Sequence, residues 1–317
     1  MKAIHYAAFT ALFLCFSCQQ ENPKTNKTQN HLKQYITVLG IAQDAGYPHI
    51  GCQKKCCIDY YNGTNKKRNV VSLGLVDQEN KQKWLFDASP DMSTQLADLE
   101  QHHLKKETII DGVFLTHAHI GHYTGLMYFG REALGKQGTT VFAMPKMKTY
   151  LETNGPWSQL VSLKNVELKP LHNDSTIVLN TQLKVTPFLV PHRDEFSETV
   201  GYHIQGPKKS ALFIPDIDKW QKWKRNIVEE VKKVDYAFVD ATFFDQTEVA
   251  RAITEVPHPF IIETVDLFKN ETFETKNKII FIHFNHTNPA LITSSKERKK
   301  LEKEGFRFAD KGQNYDL

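Results

Sequence analysis

Residues 111–126 read DGVFLTHAHIGHYTGL, and this stretch decides how the chain is read. It opens on an apolar run, Val113-Phe114-Leu115, bounded by polar residues, which is the pattern of a short buried strand. The run breaks at Thr116 and delivers His117, His119 and His122 within six residues. Leu126, Phe129 and Leu134 follow at roughly helical spacing, so a helix is predicted over 123–136. Three imidazoles on one strand-to-helix turn converge on a point. Neutral imidazole is the commonest metal ligand and suits Zn, Cu, Fe and Ni. One histidine here would read as a solvated loop residue. H-x-H-x-x-H directly behind a buried strand reads as a metal site.

Outward from that stretch the same event recurs: a strand ends and a His or Asp follows. Strands are predicted over 35–39, over 70–76 and, after a polar turn, over 83–86, which runs into Asp87. A helix is expected over 91–104, with Met92, Leu96 and Leu99 on one face. A strand over 139–143 and a helix over 146–152 come next. Residues 166–189 read as a β-meander with turns at Asn173-Asp174 and Asn180-Thr181, delivering Val190-Pro191-His192. Strands over 199–204 and 211–214 follow, the second ending at Pro215-Asp216. A helix is predicted over 218–231. The strand over 235–239 ends at Asp240, and that over 279–282 at His283. A charged helix over 295–305 closes the chain. Helices after strands in each half imply two sheets inside two helical flanks. Loops held by rigid strands are where sites form.

The central stretch resembles the metallo-β-lactamase superfamily, whose signature is H-x-H-x-D-H after a strand. The resemblance implies an α/β fold, a four-layer αββα sandwich over 34–317. It implies that His117, His119 and His192 hold a first metal, three imidazoles with an open position being the geometry of catalytic zinc. Zinc lowers the pKa of its water from about 15.7 to about 7, which gives a metal-activated hydroxide at neutral pH. His122 and His283 match the histidines of a second metal site. Asp216 matches the bridging carboxylate, with a catalytic role shared by His192, and Asp87 the structural carboxylate of the family. Fe or Mn could replace Zn. Read alone, Asp216 could equally cap a helix and His283 could be a satisfied core histidine. Gly121 stands where the family has Asp. Site two is then expected to be weakened or altered, left empty, filled by a metal with more waters, or completed by Asp194 or Glu195.

Cys52, Cys56 and Cys57 fall within six residues. They could form one disulfide and a free thiol, which suits an exported protein. The alternative is a structural zinc of Cys₃His type, with His286 as fourth ligand and His49 as a rival. Cyclic-phosphodiester hydrolases of phosphonate metabolism, within the same superfamily, carry C-x-C-x-x-C and a His three residues after the last active-site His. Cys52 and Cys57 keep the outer spacing of that cluster, and Cys56 departs from its middle position.

Three further stretches, AGYP at 45–48, PHRDEFSETVG at 191–201 and HFNHTNP at 283–289, resemble coenzyme PQQ biosynthesis protein B and its relatives. That branch departs from H-x-H in its own central motif and is cytoplasmic. This chain keeps His117 and His119, which points towards hydrolysis of a phosphodiester or a carbonyl-type small molecule. A metal-dependent oxygenase or hydroxylase and a non-catalytic binding protein with a degenerate site are the alternatives. Trp157, Trp220, Trp223 and Phe243-Phe244 are candidates for a pocket wall, although aromatic residues more often sit in a core.

The first residues read as a targeting segment. Lys2 precedes an apolar stretch over 7–16 that is too short to span a bilayer, followed by Ser17-Cys18. A small residue before Cys with polar residues after it looks like a bacterial lipoprotein signal, over 1–17, with Cys18 lipidated. Cleavage as an ordinary secretory signal near Ser17 is the alternative. Residues 18–33 are polar and read as a flexible tether. The expected location is outside the cytoplasm, anchored to a membrane and facing the periplasm or cell surface. A net charge of +4, with Lys and Arg scattered rather than striped, asks for no nucleic-acid partner.

Overall fold

Strand formation here follows side chains that are apolar on both faces. In β1 (Gln34–Gly40) Ile36 and Val38 enter one core, and Tyr35 and Leu39 enter another. β2 (Ser72–Asp77), β3 (Gln82–Phe86), β4 (Gly112–Phe114) and β5 (Thr139–Ala143) continue that division. Leu73, Leu75, Trp84, Phe86 and Phe114 share the core of Ile36, whereas Val76, Leu85, Val113 and Val141 share that of Tyr35. A period of two with both faces buried requires a layer on each side of the sheet.

In the computed structural model, which describes residues 32–317, those layers are a second sheet and a set of helices. β6 (Val166–Pro170) completes the edge of the first sheet. The second sheet holds β7 (Ile177–Val178), β8 (Lys184–Leu189), β9 (Val200–Gln205), β10 (Ser210–Ile214), β11 (Tyr236–Asp240), β12 (Ile279–Ile282) and β13 (Arg307–Phe308). β14 (Asn314–Asp316) returns to the first sheet and pairs with β1. Each sheet has seven strands, antiparallel on one side and parallel on the other. Phe86 meets Tyr202 and Phe213 across the gap, at ring-centroid distances of 5.3 and 6.1 Å. Met92, Leu96, Phe129 and Met147 cover the outer face of the first sheet. Ile227, Val231, Ile261 and Leu301 join the core of the second. This is the expected αββα sandwich. The predicted targeting segment over 1–17 lies outside the described residues, as does the predicted tether over 18–33 up to residue 31.

Several elements differ from their sequence reading. The helix expected over 123–136 is a short turn, Ile120–Tyr123, followed by a 3₁₀ segment, Thr124–Phe129. Gly125 explains this: a Cβ there would lie 2.2 Å from the Ser89 carbonyl oxygen, so the backbone is pressed against the β3 loop and turns away. The stretch over 166–189 is no single meander. β6 pairs parallel with β5, the Leu171 N–H bonds the Ala143 carbonyl at 2.8 Å, and the chain then crosses to the other sheet. The helix expected over 218–231 splits into a 3₁₀ turn, Trp220–Lys222, and a helix, Ile227–Lys232. The Asn226 side chain accepts from the Val228 and Glu229 N–H groups and restarts the helix. Trp157, Trp220, Trp223 and Phe244 are buried, the two middle indoles bonding Thr264 Oγ1 and the Leu189 carbonyl. Among the five aromatic candidates, Phe243 stands beside a site histidine, 6.2 Å from His258.

Phe114 stacks between Phe86 (5.0 Å) and Phe142 (4.2 Å) directly under the histidine turn. Phe114→Ala is expected to cost about 3–5 kcal/mol of stability, read by chemical denaturation, because the stack leaves little room to collapse.

Candidate metal centre

The donors come from strand ends. Asp44 follows β1, Asp87 follows β3, and His117, His119 and His122 follow β4. His192 follows β8, Asp216 follows β10, Asp240 ends β11 and His283 follows β12. All open onto one edge of the sandwich, where side chains from both sheets meet.

The first donor set is His117, His119, His192 and Asp216. His117 Nε2 lies 2.9 Å from His119 Nδ1 and 3.3 Å from Asp216 Oδ2. His192 Nε2 lies 3.3 Å from both His119 Nδ1 and Asp216 Oδ1. Ligand atoms about 2.1 Å from a tetrahedral ion stand roughly 3.4 Å apart. The set fits zinc or a similar ion. Two of the three outward nitrogens are committed: His117 Nδ1 to Thr116 Oγ1 (2.9 Å) and His119 Nε2 to Glu195 (3.2 Å). Such partners orient ligating imidazoles.

The second set is Asp44, His122 and His283, with Asp216 alongside. His122 Nε2 lies 3.0 Å from Asp44 Oδ1 and 3.8 Å from Asp216 Oδ2, and His283 Nε2 lies 3.8 Å from Asp44 Oδ1. Seven buried side-chain N and O atoms among the described residues lack a hydrogen-bond partner, and four of them are Asp44 Oδ1, His122 Nε2, Asp216 Oδ1 and His283 Nε2. An orphaned buried polar atom costs about 1–3 kcal/mol, so the three from Asp44, His122 and His283, gathered in one group, mark a place for a cation. Asp194 and Glu195, the expected substitutes for a carboxylate at 121, do not reach it: Asp194 accepts from Thr199 Oγ1 (2.8 Å) and Glu195 serves His119.

Asp87 organises the turn. Its carboxylate accepts from Thr116 N (2.8 Å) and Thr116 Oγ1 (2.9 Å), and meets His122 Nδ1 at 2.8 Å. Asp87 and His283 both adopt positive φ, 65° and 69°. Side chains other than glycine hold that conformation at a cost of about 1–3 kcal/mol, typically at functional sites. His258 Nδ1 contacts Asp240 Oδ2 (2.9 Å) and Asp216 Oδ1 (3.1 Å). Burial drives His117 well below the usual imidazole range, with the His122 charge adding to it. For His122 burial is outweighed by Asp87 and Asp44, which hold it well above that range. Asp216 stays well below the carboxylate range despite burial, through His192 and His258. A cation binding here displaces imidazole protons.

Cys52, Cys56, Cys57 and His286 form a separate group at the start of the helix Lys55–Tyr61. The cysteines are free thiols, and Cys52 Sγ lies 4.0 Å from Cys56 Sγ. A tetrahedron of Zn–S bonds of about 2.3 Å has edges of roughly 3.8 Å. Burial pushes the His286 imidazole down to about 4, so it is a neutral donor. His49 stays outside the group: its ring packs on His286 at 4.2 Å and its backbone N–H meets Cys57 Sγ at 3.3 Å.

Residues 82–284 match the β-lactamase superfamily domain. The chain belongs to this superfamily. It is 26% identical over 305 residues to coenzyme PQQ synthesis protein B of Gluconobacter oxydans, covering 89% of this chain and 98% of that relative. Its fold is similar to that of the Zn²⁺-bound PqqB of Methylobacterium extorquens, with a TM-score of 0.72 and 23% identity over 89% of this chain and all of that one. A diphosphatase of the PhnP family shares the fold with a TM-score of 0.62 and 22% identity, over 90% of this chain and 97% of that one.

The superfamily centre here includes three residues given no role from sequence. Asp44 and Asp240 obey the rule already used, an acid at a strand end. His258, between Pro257 and Pro259, sits in a loop with no such signal. Asp87→Ala is expected to weaken metal binding at the His122 site by roughly ten- to a hundredfold, read by competition with a chelating dye.

Proposed function

We propose that the chain is an exported metal-dependent hydrolase acting on a phosphodiester or carbonyl-type small molecule. One observation carries this reading. Asp216 Oδ2 lies 3.3 Å from His117 Nε2 and 3.8 Å from His122 Nε2, so a single carboxylate serves both donor sets. Metal ions held by these two donor sets would supply an acidified water and a Lewis acid for the oxygens of the bond to be cleaved. The chain's own residues set the geometry. The side chains of His117, His122, His192 and His283 are buried, whereas that of His119 reaches solvent, so substrate approaches from the side of His119. Beside it a cleft of about 590 Å³ is lined by Lys146, Tyr150, Asp194, Glu195 and Phe196, a size suited to a small molecule. Lys146 offers a cation to an anionic substrate, and Phe196, packed on Tyr150 at 5.5 Å, an apolar face. His258 Nδ1 is hydrogen-bonded to Asp240 Oδ2 (2.9 Å) and stands 3.1 Å from Asp216 Oδ1, a charge beside that carboxylate. The shared fold with a diphosphatase supports the phosphoester side of the reading.

The test is turnover of bis(4-nitrophenyl) phosphate and 4-nitrophenyl acetate by the chain without its first 17 residues. Turnover of either, lost on chelation and restored by Zn²⁺, Mn²⁺ or Fe²⁺, is expected. No turnover with any of these metals overturns the reading. Oxygen-dependent chemistry with iron would favour a hydroxylase, and ligand binding without turnover a binding protein. His258→Ala is expected to lower kcat roughly ten- to a hundredfold with metal content retained.

The export half of the proposal rests on Cys18 and the apolar run before it. In a bacterial host the full chain is expected in the membrane fraction, and Cys18→Ala in the soluble exported fraction. Identical partition of the two sinks the lipid anchor. Lipid chains contribute about 0.8 kcal/mol per buried CH₂, so loss of acylation releases the chain.

A further inference from the structure

Position 121 carries no carboxylate, yet a carboxylate oxygen stands beside it. A Cβ built on Gly121 would lie 2.2 Å from Asp44 Oδ1, 2.6 Å from Asp44 Cα and 2.9 Å from Asp44 Cγ. Real Cβ atoms do not approach other atoms so closely. Asp44 and a side chain at 121 therefore exclude each other, and the space that an aspartate at 121 would fill holds the Asp44 carboxylate.

Asp44 is held there by backbone. The Gln43 N–H bonds the Phe284 carbonyl (2.9 Å), and the Phe284 N–H bonds the Ile41 carbonyl (2.8 Å). The segment just before Asp44 is thus stitched to the residue just after His283. Gln43 Nε2 donates to Asp44 Oδ2 at 3.1 Å, which leaves Oδ1 turned towards His122 and His283. Oδ1 has no hydrogen-bond partner, and its 3.0 Å approach to His122 Nε2 lacks the alignment of one. It shares that condition with His122 Nε2 and His283 Nε2.

We propose that Asp44 is a ligand of the second metal site, a carboxylate transposed from position 121 to the end of β1, and that Gly121 is required to admit it. The second site is then complete rather than weakened: two imidazoles, the Asp44 carboxylate and the shared Asp216. A carboxylate arriving from the loop after β1 also ties site two to a strand paired on both sides, by β14 and β2, instead of to the short helix Ile120–Tyr123.

The experiment counts metal by mass spectrometry in the full mature chain, without substrate, so its outcome is separate from that of the hydrolase reading. Asp44→Ala and Asp44→Asn are compared with the unaltered chain, with the cysteine-cluster equivalent and a thermal melt by circular dichroism as controls for folding. Each variant is expected to lose one metal equivalent, or to bind it at least tenfold more weakly, while keeping the cysteine-cluster metal. Gly121→Asp alone, with both carboxylates competing, is expected to melt below the unaltered chain. Full metal content and unaltered affinity in Asp44→Ala would overturn the proposal.

Discussion

A buried carboxylate surrounded by imidazoles is the interaction on which the rest of this structure depends. Asp216 lies within 3.9 Å of ring nitrogens from His117, His119, His122, His192 and His258. Removing a carboxylate from water costs several kcal/mol unless it is paired and hydrogen-bonded. Those pairs come from both sheets, so neither half satisfies the site alone. The edge of the sandwich where the sheets meet must therefore be built to close tolerance. Positive φ at Asp87 and His283 shows where the backbone yields to that demand.

The scaffold supplies the rigidity. Strands apolar on both faces lock the two sheets together through Phe86, Phe114, Tyr202 and Phe213, a close-packed aromatic layer just beneath the histidine turn. Donors follow the strands at once, so they inherit strand positions with little loop between. Asp87 extends this ordering outward by fixing Thr116 and His122 together. Glu195 and Thr116 do the same for His119 and His117. The cysteine group stands apart, but it belongs to the same loop system: Cys52 follows the loop that carries Asp44, and His286 follows His283.

Much of the fold was legible in the sequence because two-sided burial leaves a plain mark, short runs of apolar residues ending in a His or Asp. The strands β4, β5, β10 and β12 fall where those runs place them. Elements decided by contact with a distant backbone were not legible. The turn after His122 stops being a helix because Gly125 is pressed on Ser89. β6 reads like its neighbour β8, yet belongs to the other sheet, since pairing is chosen by which edge is open and local pattern is silent on that. The indoles of Trp220 and Trp223 went to the core, where each N–H finds a partner.

The sequence by itself determined the superfamily layout and the imidazole donors, because their spacing is local and each sits at the end of a strand that hydrophobic pattern reveals. It also presented Gly121 as a gap in the second donor set. Only the tertiary structure decided what the gap means. Asp44 and Gly121 are far apart along the chain, and nothing in either neighbourhood refers to the other. Their adjacency comes from the stitching of β1 to the end of β12, a long-range backbone pairing that no local period encodes. A missing side chain and a close carboxylate are one fact in space and two unrelated facts in sequence.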